Sequence, residues 1–310
     1  MGPTCCGKSL LSMRLKEILP VELISVDSAL IYRDMNIGTA KPSDFELLKY
    51  THFLVNIKDP SEFYSVGEFY SDVIKIIKYI HSINRIPLLV GGTMFYFKVL
   101  VNGLSILPSS NNKIRTYLLM LLKKKSSSFL FNKLKFIDPI SSKRIHPNDI
   151  QRILRALEVF FISGKTLTQL TKFKKKFFPY NIIKFALIPE NKVVLFNNIQ
   201  VRFRKMLSFG FEDEVKNLFD RRNLNKNLPS IRCIGYRQMW DYFDNILSYD
   251  EMICEVIRAT KRLAKSQLTW LKSWSDLNIL YSNEELPVLI SKVVDVVNMS
   301  IFRNKCNINR

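Results

Sequence analysis

Gly2-Pro3-Thr4-Cys5-Cys6-Gly7-Lys8-Ser9 fits G-x-x-x-x-G-K-[ST], the pattern of a phosphate-binding P-loop. Its glycines let backbone N–H groups come close to phosphate oxygens. Lys8 adds a mobile positive charge, and Ser9 a hydroxyl for a phosphate or its Mg²⁺. Leu10, Leu11, Met13, Leu15 and Ile18 predict a helix directly after the loop, stopped by Pro20. The positive end of that helix would face the same anion. Only Met1 precedes Gly2, whereas a P-loop normally continues a buried strand. The expectation is a chain that lacks its first strand, or a start assigned too far downstream.

A carboxylate stands where it could serve this loop. Residues 21–26 (VELISV) read as a buried strand that ends at Asp27-Ser28-Ala29-Leu30. Ligands of open α/β sheets gather beyond the carboxyl ends of the strands, which sets Asp27 near the phosphate site. The competing reading is an ordinary turn or helix-cap aspartate. A helix over residues 66–84 leads to a second short buried strand at 86–90, which runs into Gly91-Gly92-Thr93. Segments 2–9, 27–30 and 91–93 are expected to converge on one edge of a parallel sheet.

The elements further along are of another kind. After Pro108 the chain shows helical patterns to about residue 178, with lysine clusters at 123–125 and 174–176 and no clear strand. Its best helix starts after His146-Pro147 with Asn148 or Asp149 as cap and stops at Gly164. Ile150, Ile153, Leu154, Leu157 and Phe161 form one face; Gln151, Arg152 and Arg155 form another. The two arginines, one turn apart, are spaced for neighbouring phosphates, although a solvated face would look the same. Residues 182–188 read as a returning strand. A helix with Phe203, Met206 and Leu207 inside and Arg202 and Arg204 elsewhere follows, closed by Gly210. Leu228 to Gln238 gathers Arg232, Gly235, Tyr236 and Arg237 and reads as a loop for an anion or a base. Ser248-Tyr249-Asp250-Glu251 is a capping box opening a long helix with a basic stripe of Arg258, Lys261, Arg262 and Lys265. A short apolar helix and a basic tail are predicted after Asn283.

Composition narrows the class. A net charge of +20 favours a polyanionic partner, nucleic acid before membrane surface, with drift in an AT-biased genome as the competing source. No run of about 18 apolar residues predicts a membrane span, and no leader precedes the P-loop. Five scattered cysteines and three distant histidines argue against a disulfide framework or structural zinc site and predict a reduced, cytoplasmic protein. A P-loop facing a carboxylate suits nucleotide hydrolysis, phosphate transfer to a small acceptor, or displacement of a diphosphate leaving group. The basic helical insertion favours a large polyanionic acceptor.

Read together, GPTCCGKS (2–9), ELISVDSALIYRDMNIGTAKP (22–42), RIPLLVGGTMFYFK (85–98), RIHPNDIQRILRALEVFFISGKTL (144–167), LPSIRCIGYRQMW (228–240) and LAKSQLTWL (263–271) resemble the bacterial tRNA dimethylallyltransferases. The resemblance runs from residue 1 to about 275. It implies an α/β fold, a P-loop NTPase-like parallel sheet core flanked by helices (1–107 and 179–310) with an inserted all-helical, tRNA-clamping domain (108–178). It implies transfer of a dimethylallyl group from dimethylallyl diphosphate to N6 of a flipped-out adenosine at tRNA position 37, beside the anticodon, with Mg²⁺ assisting the leaving diphosphate.

Carried onto this sequence, Gly2, Pro3, Thr4, Cys5, Cys6, Gly7, Lys8 and Ser9 cradle diphosphate. Ser9 also reaches the metal through it, and Arg202 grips it too. Asp27 resembles the general base on the adenine amine. Asp27, Ser28, Ala29, Leu30, Thr93, Arg115, Gln151, Arg152, Ile153, Leu154, Arg155, Arg232, Cys233, Ile234, Gly235, Tyr236 and Arg237 match tRNA-contacting positions, with Thr93 also at the catalytic centre. Arg115 rests on resemblance alone. The implied partners are a tRNA anticodon stem-loop and the prenyl donor, with no membrane and a monomeric chain. Cys5-Cys6 departs from the family's usual Ala-Ser. The competing readings are a P-loop kinase or NTPase, a relative that prenylates free adenine nucleotides, and a non-catalytic RNA-binding protein.

Overall fold

The structure, a computed structural model, describes residues 1–105, 107–172 and 178–308, without the side chains beyond residue 300. The lysine cluster at 174–176 and the last two residues of the basic tail lie outside the described residues. The chain forms two units, Met1–Lys98 with Tyr180–Arg310, and Val99–Pro179.

The chain begins with α1 (Lys8–Ile18), β1 (Val21–Val26), α2 (Asp44–Lys49), β2 (His52–Phe53), α3 (Val66–Ser82), β3 (Ile86–Gly91) and α4 (Met94–Asn102). The second unit carries α5 (Asn112–Lys125), α6 (Ser127–Ile137), α7 (Pro139–Arg144), α8 (Ile150–Ser163) and α9 (Leu167–Thr171). The first unit resumes with β4 (Phe185–Ile188), α10 (Lys192–Ser208), α11 (Phe211–Phe219), α12 (Tyr236–Phe243), α13 (Tyr249–Lys272), β5 (Asn278–Tyr281) and α14 (Leu286–Ile308). The last helix has 23 residues, longer than its sequence suggested.

Two parallel sheets organise the first unit, β2-β1-β3 and β4-β5. β1 is central and almost wholly buried, as its continuous apolar run requires. β3 departs from expectation. Ile86 is exposed and Pro87 to Val90 are half-buried, because an edge strand is not sealed along its outer side. Met1 pairs with β4. Its ammonium donates to the Phe185 carbonyl (2.8 Å), and the Leu187 N–H donates to the Met1 carbonyl (2.9 Å). A Cβ on Gly2 would collide with the Leu187 carbonyl oxygen, so only glycine lets the loop leave β4 this closely.

The helices pack as their patterns require. α1 buries Leu11 and Leu15 in a cluster with Leu187, Leu195, Ile199, Leu280 and Val293. α3 opens on a Ser65–Glu68 capping box and buries Phe69, Val73, Ile77 and Ile80 on one stripe. The second unit has its own core of Leu118, Leu130, Leu134, Ile145, Ile153, Ala156 and Leu157. There Asp149, not Asn148, caps α8, accepting from the Arg152 N–H at 3.1 Å, and Gly164 ends it at φ 68°.

Candidate active site

The ends of β1 and β3 and the P-loop line one open cavity of about 530 Å³ in the first unit. Gly7 sits at φ 80° and turns the loop into α1. Lys8 donates to the Pro3 carbonyl at 2.6 Å, and Arg202 from α10 donates to the Thr4 hydroxyl at 2.7 Å. Burial pulls the Lys8 ammonium below its ordinary value; Arg202 acts the same way, while Cys6 and Asp27 oppose it. A buried amine beside a guanidinium is a site built for an anion, whose charge would relieve both. Ser9 is exposed and is not among the residues that line the cavity. Cys5 is half-buried. Cys6 points into the apolar cluster with Leu11 and Leu187, and burial pushes its thiol up to about 11. The Cys6 side chain is therefore a core residue.

Asp27 combines the two readings its position allowed. One carboxylate oxygen accepts from the Ala29 N–H at 2.9 Å, forming a turn, and the residue also lines the cavity. Thr93 receives the Ser28 N–H on its hydroxyl at 3.2 Å, and its own N–H donates to the Val26 carbonyl at 3.2 Å. The turn after β3 is thereby tied to the turn after β1. Lys8, Thr4, Asp27, Thr93 and Arg202 all border the same space.

The 228–238 segment is tight turns leading into α12. Arg232, Cys233, Ile234 and Gly235 line the cavity, and Arg237 is exposed. Burial, then the charge of Asp27, pushes the Cys233 thiol up to about 12 and keeps it unreactive. Tyr236 corrects the sequence reading. It is fully buried, its ring edge-on to Phe211 at 5.3 Å and its hydroxyl donating to Glu214 at 2.5 Å, so its side chain has no surface for tRNA.

In the second unit Arg115, Gln151 and Arg152 are exposed. Ile153 is 1% exposed and belongs to the helical core, and Leu154 packs against that core. Both were expected at the RNA; the apolar period of α8 turns them inward instead. Arg155 donates to Glu158 (2.9 Å) and to the Pro108 carbonyl (2.7 Å), whereas the Arg152 side chain makes an i,i+3 ion pair with Asp149 (3.2 Å). On α13, Glu255 pairs with both Arg258 and Arg262, so an acid on the same helix offsets one of the stripe's four charges.

Two residues at the site carried no role in the sequence reading. Glu214 accepts from the N–H groups of Asn36 (2.8 Å), Ile37 (2.7 Å) and Gly38 (3.1 Å) and fixes the loop that brings Gly38 and Thr39 to the cavity. An acid in a helix's first turn looks like a dipole partner, so nothing marked it. Gln267 bridges the P-loop and Gly92. Its signal was available: a glutamine on the face of α13 that also carries Ala264 and Leu271. Among the described residues no group of three or more His, Cys, Asp or Glu could hold a metal ion, and no helix is long and apolar enough to cross a membrane.

A glycine-bounded loop running into a helix, an arginine bonded to that loop and a carboxylate beyond a parallel strand mark a P-loop-like α/β protein. The model of the IPP transferase family matches residues 30–274. The tRNA dimethylallyltransferase of Buchnera aphidicola subsp. Baizongia pistaciae is 69% identical over 303 residues, 97% of this chain and 94% of that protein. The namesake from Buchnera aphidicola subsp. Acyrthosiphon pisum is 54% identical over 302 residues, covering 97% and 95%. The crystal structure of the full-length tRNA isopentenylpyrophosphate transferase from Bacillus halodurans has a TM-score of 0.74 at 31% identity, covering 100% of this chain and 97% of that one. A eukaryotic dimethylallyltransferase acting on tRNA has a TM-score of 0.79 at 25% identity, covering 98% and 78%. The chain belongs to the IPP transferase family.

Proposed function

We propose that this chain transfers the dimethylallyl group of dimethylallyl diphosphate to N6 of adenosine 37 in tRNA. The observation that carries the reading is the facing of two ends across one cavity in a member of this family: Lys8, Thr4 and Arg202 at one, Asp27 and Thr93 at the other. The donor's diphosphate lies along the P-loop, where Lys8 and Arg202 exchange their present bonds to Pro3 and Thr4 for phosphate oxygens. As the allylic C–O bond breaks, both hold the developing negative charge. The adenine amine forms the new N–C bond and gives its proton to Asp27, a contribution of about 10²–10⁴-fold for a positioned base.

Diphosphate oxygens with the Ser9 hydroxyl would hold a Mg²⁺ ion. The absence of a carboxylate cluster among the described residues fits a metal carried mainly by substrate phosphates. That ion would supply further neutralisation of the leaving group. The insertion at 108–178 serves as the tRNA clamp, with exposed Arg115, Gln151 and Arg152 as its contacts; Arg232 lines the cavity, and Arg237 is exposed in the first turn of α12. The enzyme acts as a cytoplasmic monomer.

The test mixes the purified chain with unmodified tRNA bearing adenosine 37, Mg²⁺ and radiolabelled dimethylallyl diphosphate. Label in the tRNA is the expected result. Bound but unlabelled tRNA overturns the assignment in favour of a binding protein. Turnover of ATP without label overturns it in favour of a P-loop phosphotransferase.

A further inference from the structure

Gln267 is a buried polar side chain that the reaction above does not use. It is 7% exposed on α13, and its amide makes two hydrogen bonds. Its Oε1 accepts from the Thr4 N–H at 2.9 Å, and its Nε2 donates to the Gly92 carbonyl at 2.9 Å. The orientation is dictated by the partners, because an N–H only donates and a carbonyl only accepts. Gly92 is built to the amide's shape; a Cβ there would sit 2.5 Å from Nε2.

What the amide joins gives the contact its meaning. Thr4 is the P-loop residue whose hydroxyl receives Arg202. Its N–H, instead of pointing at the phosphate site, anchors the loop to Gln267. Gly92 precedes Thr93, whose hydroxyl receives the Ser28 N–H beside Asp27. One side chain therefore links the anion-holding end of the cavity to the carboxylate end. We propose that Gln267 is a positioning residue that sets the spacing between the diphosphate loop and the Asp27–Thr93 end. The assignment rests on the transfer reaction proposed above. In that reaction the donor carbon is held from one end and the amine from the other. A misplacement of about 1 Å between reacting atoms can cost about 100-fold in rate.

Two near-isosteric variants test this. Gln267→Met keeps length but offers neither bond. With donor and tRNA saturating, its single-turnover transfer should fall about 10- to 100-fold, with tRNA affinity unchanged and binding of inorganic diphosphate weakened. Gln267→Glu can accept and donate like the amide when protonated; when ionised it sets a negative oxygen against the Gly92 carbonyl. Burial favours the protonated form. The rate of Gln267→Glu relative to wild type should therefore recover as pH falls, while the relative rate of Gln267→Met stays flat. A wild-type rate for Gln267→Met overturns the proposal. So does a loss of the same size in both variants with no pH-dependent recovery, which would mark a packing role only. If the wild-type chain transfers no label, the reaction itself fails; inorganic diphosphate binding then decides for Gln267, and unchanged affinity in Gln267→Met overturns its anchoring of the loop.

Discussion

The P-loop end of the cavity, with Lys8 and Arg202, and the polar face of α8, with Arg152 and Arg155, both present basic side chains, but they are built differently. At the loop, charge is immobilised before any ligand arrives. Lys8 is tied to Pro3, Arg202 to Thr4, and the Thr4 backbone to Gln267. On α8, two arginines one turn apart have separate fates. Arg155 is anchored to Glu158 and Pro108 within its own unit, and Arg152 extends into solvent. The first arrangement fits a small, fixed anion whose position must be accurate. The second fits a flexible polyanion that needs charge more than geometry.

The largest effect should come from the carboxylate end. Asp27→Ala is expected to lower single-turnover transfer by about 10²–10⁴-fold, with tRNA affinity nearly intact. Equal loss of binding and turnover would make Asp27 a turn-former only and erase the distinction between chemistry and grip. Next in size, Arg155→Ala should destabilise the helical unit by about 2 kcal/mol, because it leaves the buried Glu158 with less compensation. Denaturant unfolding measures it. A stable Arg155→Ala with weakened tRNA binding would move that arginine from the structural to the RNA-binding class.

Arg152→Ala should be stable and bind tRNA a few-fold more weakly, with the salt dependence of log K reduced by about 1. An unchanged salt slope would remove α8 from the interface. The smallest effect is a linkage. Burial lowers the pKa of Lys8 from 10.5 in the free protein, and a bound diphosphate raises it again. Below the lowered value the amine is charged in both states, and affinity is level. Between the lowered and raised values binding takes up a proton, so donor affinity falls as pH rises. Calorimetry in buffers of different ionisation heat reads that uptake, and its absence would mean that the Lys8 charge does not meet the phosphates.

Local rules decided the parts of this molecule that were legible from the amino-acid order. The P-loop needs glycine at residue 7 for a left-handed turn, a lysine and a following helix, all within a few residues. Capping of α8 at Asn148 or Asp149, the capping box at Ser248 and the stop at Gly164 are likewise short-range chemistry. The period of α8 told which positions were polar, and the same period, applied strictly, turns Ile153 inward even though it stands inside a stretch matched to RNA contact.

Tertiary structure decided the rest. Nothing local to Tyr236 says that its hydroxyl meets Glu214, or that Cys6 is buried in the apolar cluster while Cys5 only packs against its edge. The half-exposure of β3 follows from its place at a sheet edge, which depends on which strands pair. Gln267 has meaning only because α13 packs where Thr4 and Gly92 come within reach of one amide. The residues that do chemistry are recognisable by type and spacing, since phosphate and proton transfer demand particular groups. The residues that hold them at the right distance are not, because any polar side chain of suitable length can be recruited once the fold brings its partners together.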